Sequence, residues 1–323
     1  MSRGLLAPRR APGGARAALL VTLSFMCALG GCHGSDRVPE PAASHEAGGA
    51  APSALDAAST AYDGSTPPLK IPPAAVDAVV NPMHLPAYTG PTGTVEGTVL
   101  VRGPEAPLTP GLDVHACPAA LDTYGHLFRA GAPRGDGARP LADAIVVVMG
   151  YSGFYLPDRR EAEEVTIGPR CGYPLRAIAV TFGVPIRIAN ESRVPFAPYL
   201  EGAPVFAVNI APPERQGPPV TLLPFRADHY SLRDQLQSFV SGDVYVLRQP
   251  LHAVTDTAGR FRIEDVPAQK LQVAAQSSAF AGADAKTVDV PAGGVADVEL
   301  TLTYAPRDAG PTRPPEGPRH RGP

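Results

Sequence analysis

Tryptophan is absent from this sequence, and aromatic residues make up only 6% of its 323 positions. A platform for stacking sugar rings is therefore disfavoured, although tyrosines alone could build one. Lysine is scarce and the formal net charge is −3, so binding to nucleic acid is not expected. Phosphate-loop, dinucleotide-binding and Gly-x-Ser-x-Gly motifs are also missing, and we predict no catalytic residue and no cofactor.

Cysteine is scarce too, with four residues, and the first two lie near the N-terminus. Residues 1–31 have a basic start and an apolar stretch too short to span a bilayer, which is typical of an export signal. The sequence Leu29-Gly30-Gly31-Cys32 resembles a bacterial lipobox. That resemblance implies cleavage before Cys32 and acylation of Cys32 with fatty-acid chains such as palmitate. These chains would anchor the protein in a membrane. The alternative is an ordinary secretory signal followed by a coincidental cysteine.

Processing would leave only Cys117 and Cys171, because cleavage removes Cys27 and acylation uses Cys32. In an oxidising envelope compartment, two leftover cysteines in one β unit are most simply a disulfide. His115 and His126 flank Cys117 and could bind a metal with it. No two histidines of the folded unit have zinc-ligand spacing, so loop histidines beside a disulfide are the preferred interpretation and no metal site is predicted.

Two segments lack the apolar periodicity that a folded core requires. Residues 32–92 are rich in Ala, Pro, Gly and Ser, and residues 305–323 have a similar composition. Such segments cannot bury enough apolar surface to order themselves, so we expect a disordered tether and a disordered tail.

The clearest β signal lies in residues 251–276. Two extended runs flank a short loop in which Asp256 can bond its own backbone and Gly259 permits a positive φ, and this pattern predicts a hairpin. Apolar residues then alternate on one face; they are Phe261, Ile263, Leu271 and Val273. A strand is also predicted at 93–101, and the apolar run 142–149 suits a strand that is buried on both faces.

These pieces resemble the carboxypeptidase regulatory-like domain, a transthyretin-like β-sandwich. The motif residues that match are Thr255, Asp256, Gly259, Phe261, Ile263, Val266 and Pro267, whereas Gln269 stands where the family has glycine. The resemblance implies a regulatory-like β-sandwich made of residues 93–149 and 251–304.

Residues 150–250 interrupt that sandwich. They contain strand-like runs at 164–167, 176–180, 185–189, 205–208, 220–223 and 243–247, with an ambiguous amphipathic stretch at 230–240. The segment from Cys171 to Asn190 resembles plastocyanin-like cupredoxins that occur inside regulatory-like domains. The resemblance implies an all-β fold, a regulatory-like β-sandwich with an inserted cupredoxin-like β-sandwich.

Members of that family hold copper with two histidines, a cysteine and a methionine. By alignment their ligand positions fall here at Pro195 or Phe196, Asp234, Gln237 and Val240, and residues 191–247 contain no Cys, no Met and one His. We therefore expect no copper site.

Two further patterns superficially suggest chemistry. Asp228, His229 and Ser231 could suggest a hydrolase set, and Asp256 a calcium ligand. Adjacency in sequence is not triad geometry, and a single Asp in a turn is better explained by turn stabilisation.

The sequence thus predicts a lipid-anchored cell-envelope protein, with the outer membrane favoured over the inner, that works as a non-enzymatic binding or structural module. The alternative is a carbohydrate-binding module, and a copper electron-transfer protein is the least favoured. The expected partners are the membrane, through the lipid on Cys32, and an envelope protein or glycan that the sequence does not identify.

Overall fold

Strands dominate the computed structural model, which describes residues 70–204 and 208–306. The predicted all-β class is confirmed. The signal segment, Cys32, most of the tether and the tail after residue 306 lie outside the described residues. Within the described residues, no helix is long and apolar enough to cross a membrane.

The strands are Thr92–Arg102 (β1), Arg139–Pro140 (β2), Ile145–Met149 (β3), Glu163–Ile167 (β4), Ala177–Thr181 (β5), Ile186–Asn190 (β6), Pro198–Glu201 (β7), Val220–Leu222 (β8), His229–Asp234 (β9), Gly242–Leu247 (β10), His252–Val254 (β11), Arg260–Pro267 (β12), Lys270–Gln276 (β13), Asp284–Asp289 (β14) and Val295–Thr303 (β15). The helices are Pro73–Val80 (α1) and Leu121–Tyr124 (α2), with 3-10 turns at Pro118–Ala120 and Pro213–Arg215.

One pair of sheets, which we call the host module, is built from the strands at both ends of the described chain. Its first sheet has the order β12-β1-β15, with β2 also paired to β1, and its second has the order β11-β3-β13-β14. β1 runs antiparallel to β12 and parallel to β15. Alternate residues of β1, including Val95, Val99 and Val101, face a buried cluster that both sheets share, as expected for strands with one apolar face.

A second pair of sheets, the insert module, lies between β3 and β11 in sequence. Its sheets have the orders β5-β10-β9-β7 and β4-β6-β8, with parallel pairs β5/β10 and β4/β6. The two sheets enclose a second buried cluster that includes Ile167, Val180, Ile186, Ile188 and Leu232. The insert module therefore has a hydrophobic core of its own.

The loop between β1 and β2 packs on the insert module although the sequence assigned it to the host sandwich. Cys117, Ala120 and Tyr124 from this loop are buried members of the insert core, and Leu112 and Val114 pack against it. The core of the insert module therefore includes residues that lie outside segment 150–250 of the sequence.

The turn at Asp256–Gly259 joins two different sheets, so the predicted hairpin is wrong. β11, before the turn, pairs with β3, whereas β12, after it, pairs with β1. The apolar alternation that follows is confirmed, because Phe261 and Val273 are both buried. Their side chains enter the host core from opposite sheets.

The segment just before β1 is folded, which corrects the expected disordered tether between residues 70 and 92. Helix α1 has proline at its start, where the missing N–H is not needed. Val76 and Val79 pack against the insert core, and a Cβ on Gly183 would lie only 2.8 Å from Val76. Eight residues are too few to form a stable helix alone, so tertiary packing must order this one.

The sequence missed some strands and left another unresolved. β7 and β14 were not predicted, and the ambiguous stretch 230–240 forms most of β9 followed by turns. Three residues of the predicted strand at 205–208 lie outside the described residues. β3 is central in its sheet and mostly buried, but Met149 at its end is exposed.

Candidate functional site

The positions aligned with copper ligands do come together at one end of the insert module. Asp234 ends β9, and its Oδ2 accepts the backbone N–H of Ala197 at 2.8 Å. Gln237 follows in the next turn and donates from Nε2 to the carbonyl of Pro195 at 2.9 Å. Phe196 and Val240 are buried beside them. The fold therefore brings these four positions to the same end of the insert module.

Asp234 works as a backbone clamp at this end of the module. Its Oδ1 accepts the N–H groups of Leu236 and Gln237, each at 2.9 Å, in addition to the Ala197 bond on Oδ2. Burial raises the pKa of Asp234, and the three backbone donors only partly offset that effect. Its carboxylate is thus committed to holding the 234–240 turn against residues 195–197.

An aromatic cluster fills the space behind the clamp. Its members are Tyr124, Tyr173, Phe196 and Phe239. Ring centroids lie 5.8 Å apart for Tyr124 and Phe239, 6.3 Å for Phe239 and Phe196, and 6.1 Å for Phe196 and Tyr173. The last two pairs are edge-to-face, a favourable arrangement for buried rings. This end of the module is therefore filled by side chains.

Cys117 and Cys171 form a disulfide that fastens the β1–β2 loop to the insert module. Their Cα atoms are 5.5 Å apart, and both residues are buried. Tyr173 follows Cys171 by two residues, and Thr123, next to Tyr124, donates to the Tyr173 carbonyl at 3.2 Å. The covalent link and this hydrogen bond together bring the two tyrosines into one core.

These residues do not fit copper. A blue-copper centre requires two imidazoles and a thiolate near a weak axial thioether, whereas the aligned positions hold Phe196, Asp234, Gln237 and Val240. The Asp234 oxygens already accept three N–H groups. Across the described ranges, no three His, Cys, Asp or Glu residues are grouped so that they could hold a metal ion.

A second polar site, which we call the seam cluster, joins the two modules. Its residues are Asp158, Arg160, Glu163, Thr181 and His252. His252 belongs to β11 of the host module, and Thr181 to β5 of the insert module. Arg160 donates to Asp158 at 2.6 Å, to Glu163 at 3.0 Å and to His252 Nε2 at 3.0 Å. The Thr181 hydroxyl also donates to Asp158.

Hydrogen bonding and electrostatics fix the protonation of His252 and Asp158 near neutral pH. An arginine can only donate, so Nε2 of His252 must be an acceptor and the ring neutral. Burial lowers the pKa of His252 to about 4, and the Arg160 guanidinium acts in the same direction. Burial alone would raise the pKa of Asp158, but hydrogen bonds from Arg160 and Thr181 outweigh it and lower that pKa. Burial raises the pKa of Glu163.

A cavity of about 210 Å³ lies beside the seam cluster. Arg160, Glu163, Glu164 and His252 are its polar lining residues. Most of the other lining residues are apolar and come from β4, β5 and β11, among them Ile178 and Val254. Sequence reasoning missed this site because Arg160 and His252 are 92 positions apart. The only available signal was a histidine in a strand otherwise expected to be apolar.

Comparison with known proteins gives a limited likeness. No protein-family model and no curated protein matches the sequence. Among solved structures, a mutant of amicyanin in its reduced state is similar, with 18% identity over 31% of this chain and 97% of that chain and a TM-score of 0.23. Two other amicyanin mutants in the Cu(I) form have 19% identity, the same coverage and TM-scores of 0.21. Nothing about a ligand or activity of this chain rests on that likeness.

The remaining histidines highlighted by the sequence lie apart from both sites. His115 is exposed, and His126 Nδ1 lies 3.1 Å from the carbonyl of Ala106. The structure therefore places neither in a site with the disulfide-bonded Cys117. His229 Nε2 lies 2.7 Å from Asp243, so the structure pairs it across β9 and β10 with a carboxylate other than its neighbour Asp228.

Asp256 takes part in turn geometry. Its Oδ1 accepts the N–H groups of Ala258 and Arg260, both at 2.8 Å. The neighbouring Thr255 is fully buried, donates to the carbonyl of Leu141 at 2.7 Å and accepts the N–H of Ala144 at 3.0 Å. The two adjacent residues thus hold the turn in place: Thr255 bonds to backbone of the host core, and Asp256 bonds to backbone within the loop.

Proposed function

We propose that this chain is a lipid-anchored protein of the bacterial cell envelope in which a regulatory-like β-sandwich and a copper-free, cupredoxin-like insert act as one non-enzymatic binding or structural unit. The observation that carries the proposal is the clamp at Asp234. Asp234 stands at a position that aligns with a copper ligand, but its carboxylate accepts hydrogen bonds from backbone N–H groups. The aromatic cluster fills the space around it.

The seam cluster supports the idea of a single unit. Asp158 is largely buried, and it is compensated by Arg160 and Thr181, while Arg160 reaches across to His252 of the host module. Separating the modules would break the contact between Arg160 and His252, so cooperative unfolding is favoured.

Anchoring rests on the sequence Leu29-Gly30-Gly31-Cys32. Two or three acyl chains give stable membrane attachment, whereas one chain gives only marginal binding. An anchored, non-catalytic pair of β modules would present its exposed strands and loops to a partner in the envelope.

Calorimetry of the mature chain, with the disulfide intact, tests the proposal. We expect one unfolding transition whose calorimetric and van't Hoff enthalpies agree, at the same temperature with and without equimolar Cu(II). A chelator-treated sample is the control for bound metal. Two resolved transitions would contradict the single unit, and a copper-dependent rise in melting temperature would contradict the copper-free insert.

A carbohydrate-binding role is the second candidate, and one observation favours it. An open groove of about 540 Å³ runs over β1 and β12 and is lined by hydrogen-bonding side chains such as Thr98, Arg260 and Arg262. The aromatic side chain at this groove, Phe261, is buried in the host core and offers no stacking face. Glycan arrays test the candidate: saturable binding that Arg260→Ala abolishes would support it over a protein partner.

A further inference from the structure

The cavity beside the seam cluster is lined by a buried histidine that has one ring nitrogen to spare. His252 is only 8% exposed and lines this cavity. Within the described ranges its hydrogen bonds involve Nε2 alone, which lies 3.0 Å from Arg160 and 3.4 Å from the Thr181 hydroxyl. Because Nε2 accepts from Arg160, the proton of the neutral ring is on Nδ1. Nδ1 is not sealed off as the unpaired hydroxyls of Tyr124 and Tyr173 are, so His252 offers the cavity a hydrogen-bond donor.

The charged groups around the cavity carry an excess of negative charge. Glu163 and Glu164 line it, and Asp158 belongs to the adjoining seam cluster. Arg160 bonds to Asp158 and Glu163, and Arg187 lies 3.3 Å from Glu164. Three carboxylates and two guanidinium groups leave one negative charge, and the neutral imidazole does not change it. A ligand with a single positive charge would therefore balance the site.

The rest of the lining favours an organic molecule. Val165 and Ile178 are buried, and Leu175 and Val254 are partly buried. Apolar walls disfavour a bare ion, and no three His, Cys, Asp or Glu residues in the described part of the chain are grouped to hold a metal. The volume of about 210 Å³ is smaller than the roughly 300–1,000 Å³ of pockets for drug-sized ligands. The ligand must therefore be a small one.

We propose that this cavity binds a small organic cation, namely a primary amine with an apolar body and an uncharged hydrogen-bond acceptor. The ammonium pairs with Glu163, which uses only Oε2 to bond to Arg160. The apolar body lies against Val165 and Ile178, and the acceptor takes the Nδ1–H of His252. The inference rests on the binding role proposed above, to which it gives a ligand class, but it does not depend on the membrane anchor.

Isothermal titration of the full mature chain with tyramine tests the proposal, because tyramine joins an ammonium and a phenol oxygen through an apolar ring. We expect saturable binding of one tyramine per chain. Glu163→Gln should weaken it about tenfold, since a charge-assisted hydrogen bond is lost. Phenethylamine lacks the oxygen and should bind about threefold to tenfold more weakly. The anion 4-hydroxyphenylacetate keeps the ring and the oxygen but should not bind.

Glu161→Gln is the matched control, because it removes the same charge from an exposed residue that does not line the cavity. It should change the affinity for tyramine by less than about twofold. Melting temperatures of both variants without ligand verify that they fold. Equal weakening by the two variants, binding of the anion as tight as that of tyramine, or no effect of removing the oxygen would overturn the proposal.

A complete lack of tyramine binding at millimolar concentration would also overturn this ligand class. That result would leave the proposed function standing, because the single unfolding transition that tests it is measured on the ligand-free chain. Two resolved transitions with tyramine binding intact would instead contradict the single unit and leave the cavity proposal in place.

Discussion

Gly259 offers the sharpest test of how the turn after β11 is held. It has a φ of 72°, a left-handed conformation that costs a residue with a Cβ about 1–2 kcal/mol. The structure adds a second cost, because a Cβ at this position would lie 2.7 Å from the carbonyl oxygen of Val99 and 3.0 Å from the backbone nitrogen of Leu141. Both are backbone atoms and cannot rotate away.

The steric part should add to the conformational part. Overpacking of a well-packed site costs about 1–3 kcal/mol, so we expect Gly259→Ala to lower the free energy of unfolding by roughly 2–5 kcal/mol. The Val99 N–H donates to the Gly259 carbonyl at 2.8 Å, so displacing the turn would also strain the central strand of its sheet. This loss is a large fraction of the 5–15 kcal/mol typical of a folded protein.

Gly293 is the matched control. It has a φ of 66°, nearly the same, but no neighbouring atom lies within 4 Å of a Cβ built there. Gly293→Ala should therefore cost only the conformational part, about 1–2 kcal/mol. Urea unfolding of both variants, with the m-value checked for constancy, measures the difference. Equal losses at the two positions would refute the close approach of the turn to β1.

Three further predictions concern the anchor, the disulfide and the seam cluster. Cys32→Ser should abolish acylation and leave the protein soluble or uncleaved in detergent partitioning; continued labelling by a palmitate analogue would contradict the lipobox. Mass spectrometry of the alkylated, non-reduced mature chain should show Cys117 and Cys171 joined, a link worth about 3–5 kcal/mol in the chain-entropy model, and two alkylated thiols would disprove it. Since the pKa of His252 is lowered to about 4 in the folded state, the unfolded chain takes up the proton first as the pH falls. Stability should therefore be complete above about pH 6.5 and fall by up to about 1.4 kcal/mol per pH unit toward pH 4. His252→Gln retains an acceptor for Arg160 without titrating, so the difference between its pH profile and that of the wild type should show this slope; parallel profiles would contradict it.

Local patterns in the sequence were enough to predict those features that depend only on residues close to each other in the chain. The alternation of Phe261 and Ile263 follows from the two-residue period of a strand, and the Asp256 turn follows from side-chain bonding to nearby backbone. Cys117 and Cys171 were singled out by counting the thiols left after processing. The misfit of copper was also evident, because it depends only on residue type at Phe196, Asp234, Gln237 and Val240.

Tertiary structure decided the features whose local conformation is compatible with more than one fold. The Asp256–Gly259 turn satisfies its own backbone equally well in a hairpin or between sheets, and only the pairing of β12 with β1 selects the second. Helix α1 and β7 are too short to be stable alone, so their formation depends on the surfaces they cover. The seam cluster requires His252 to meet Arg160 across two modules. The charge of Asp158 is compensated by Arg160 only two residues away, but the neutral His252 that accepts a hydrogen bond from Arg160 comes from another module, and sequence spacing carries no record of that meeting.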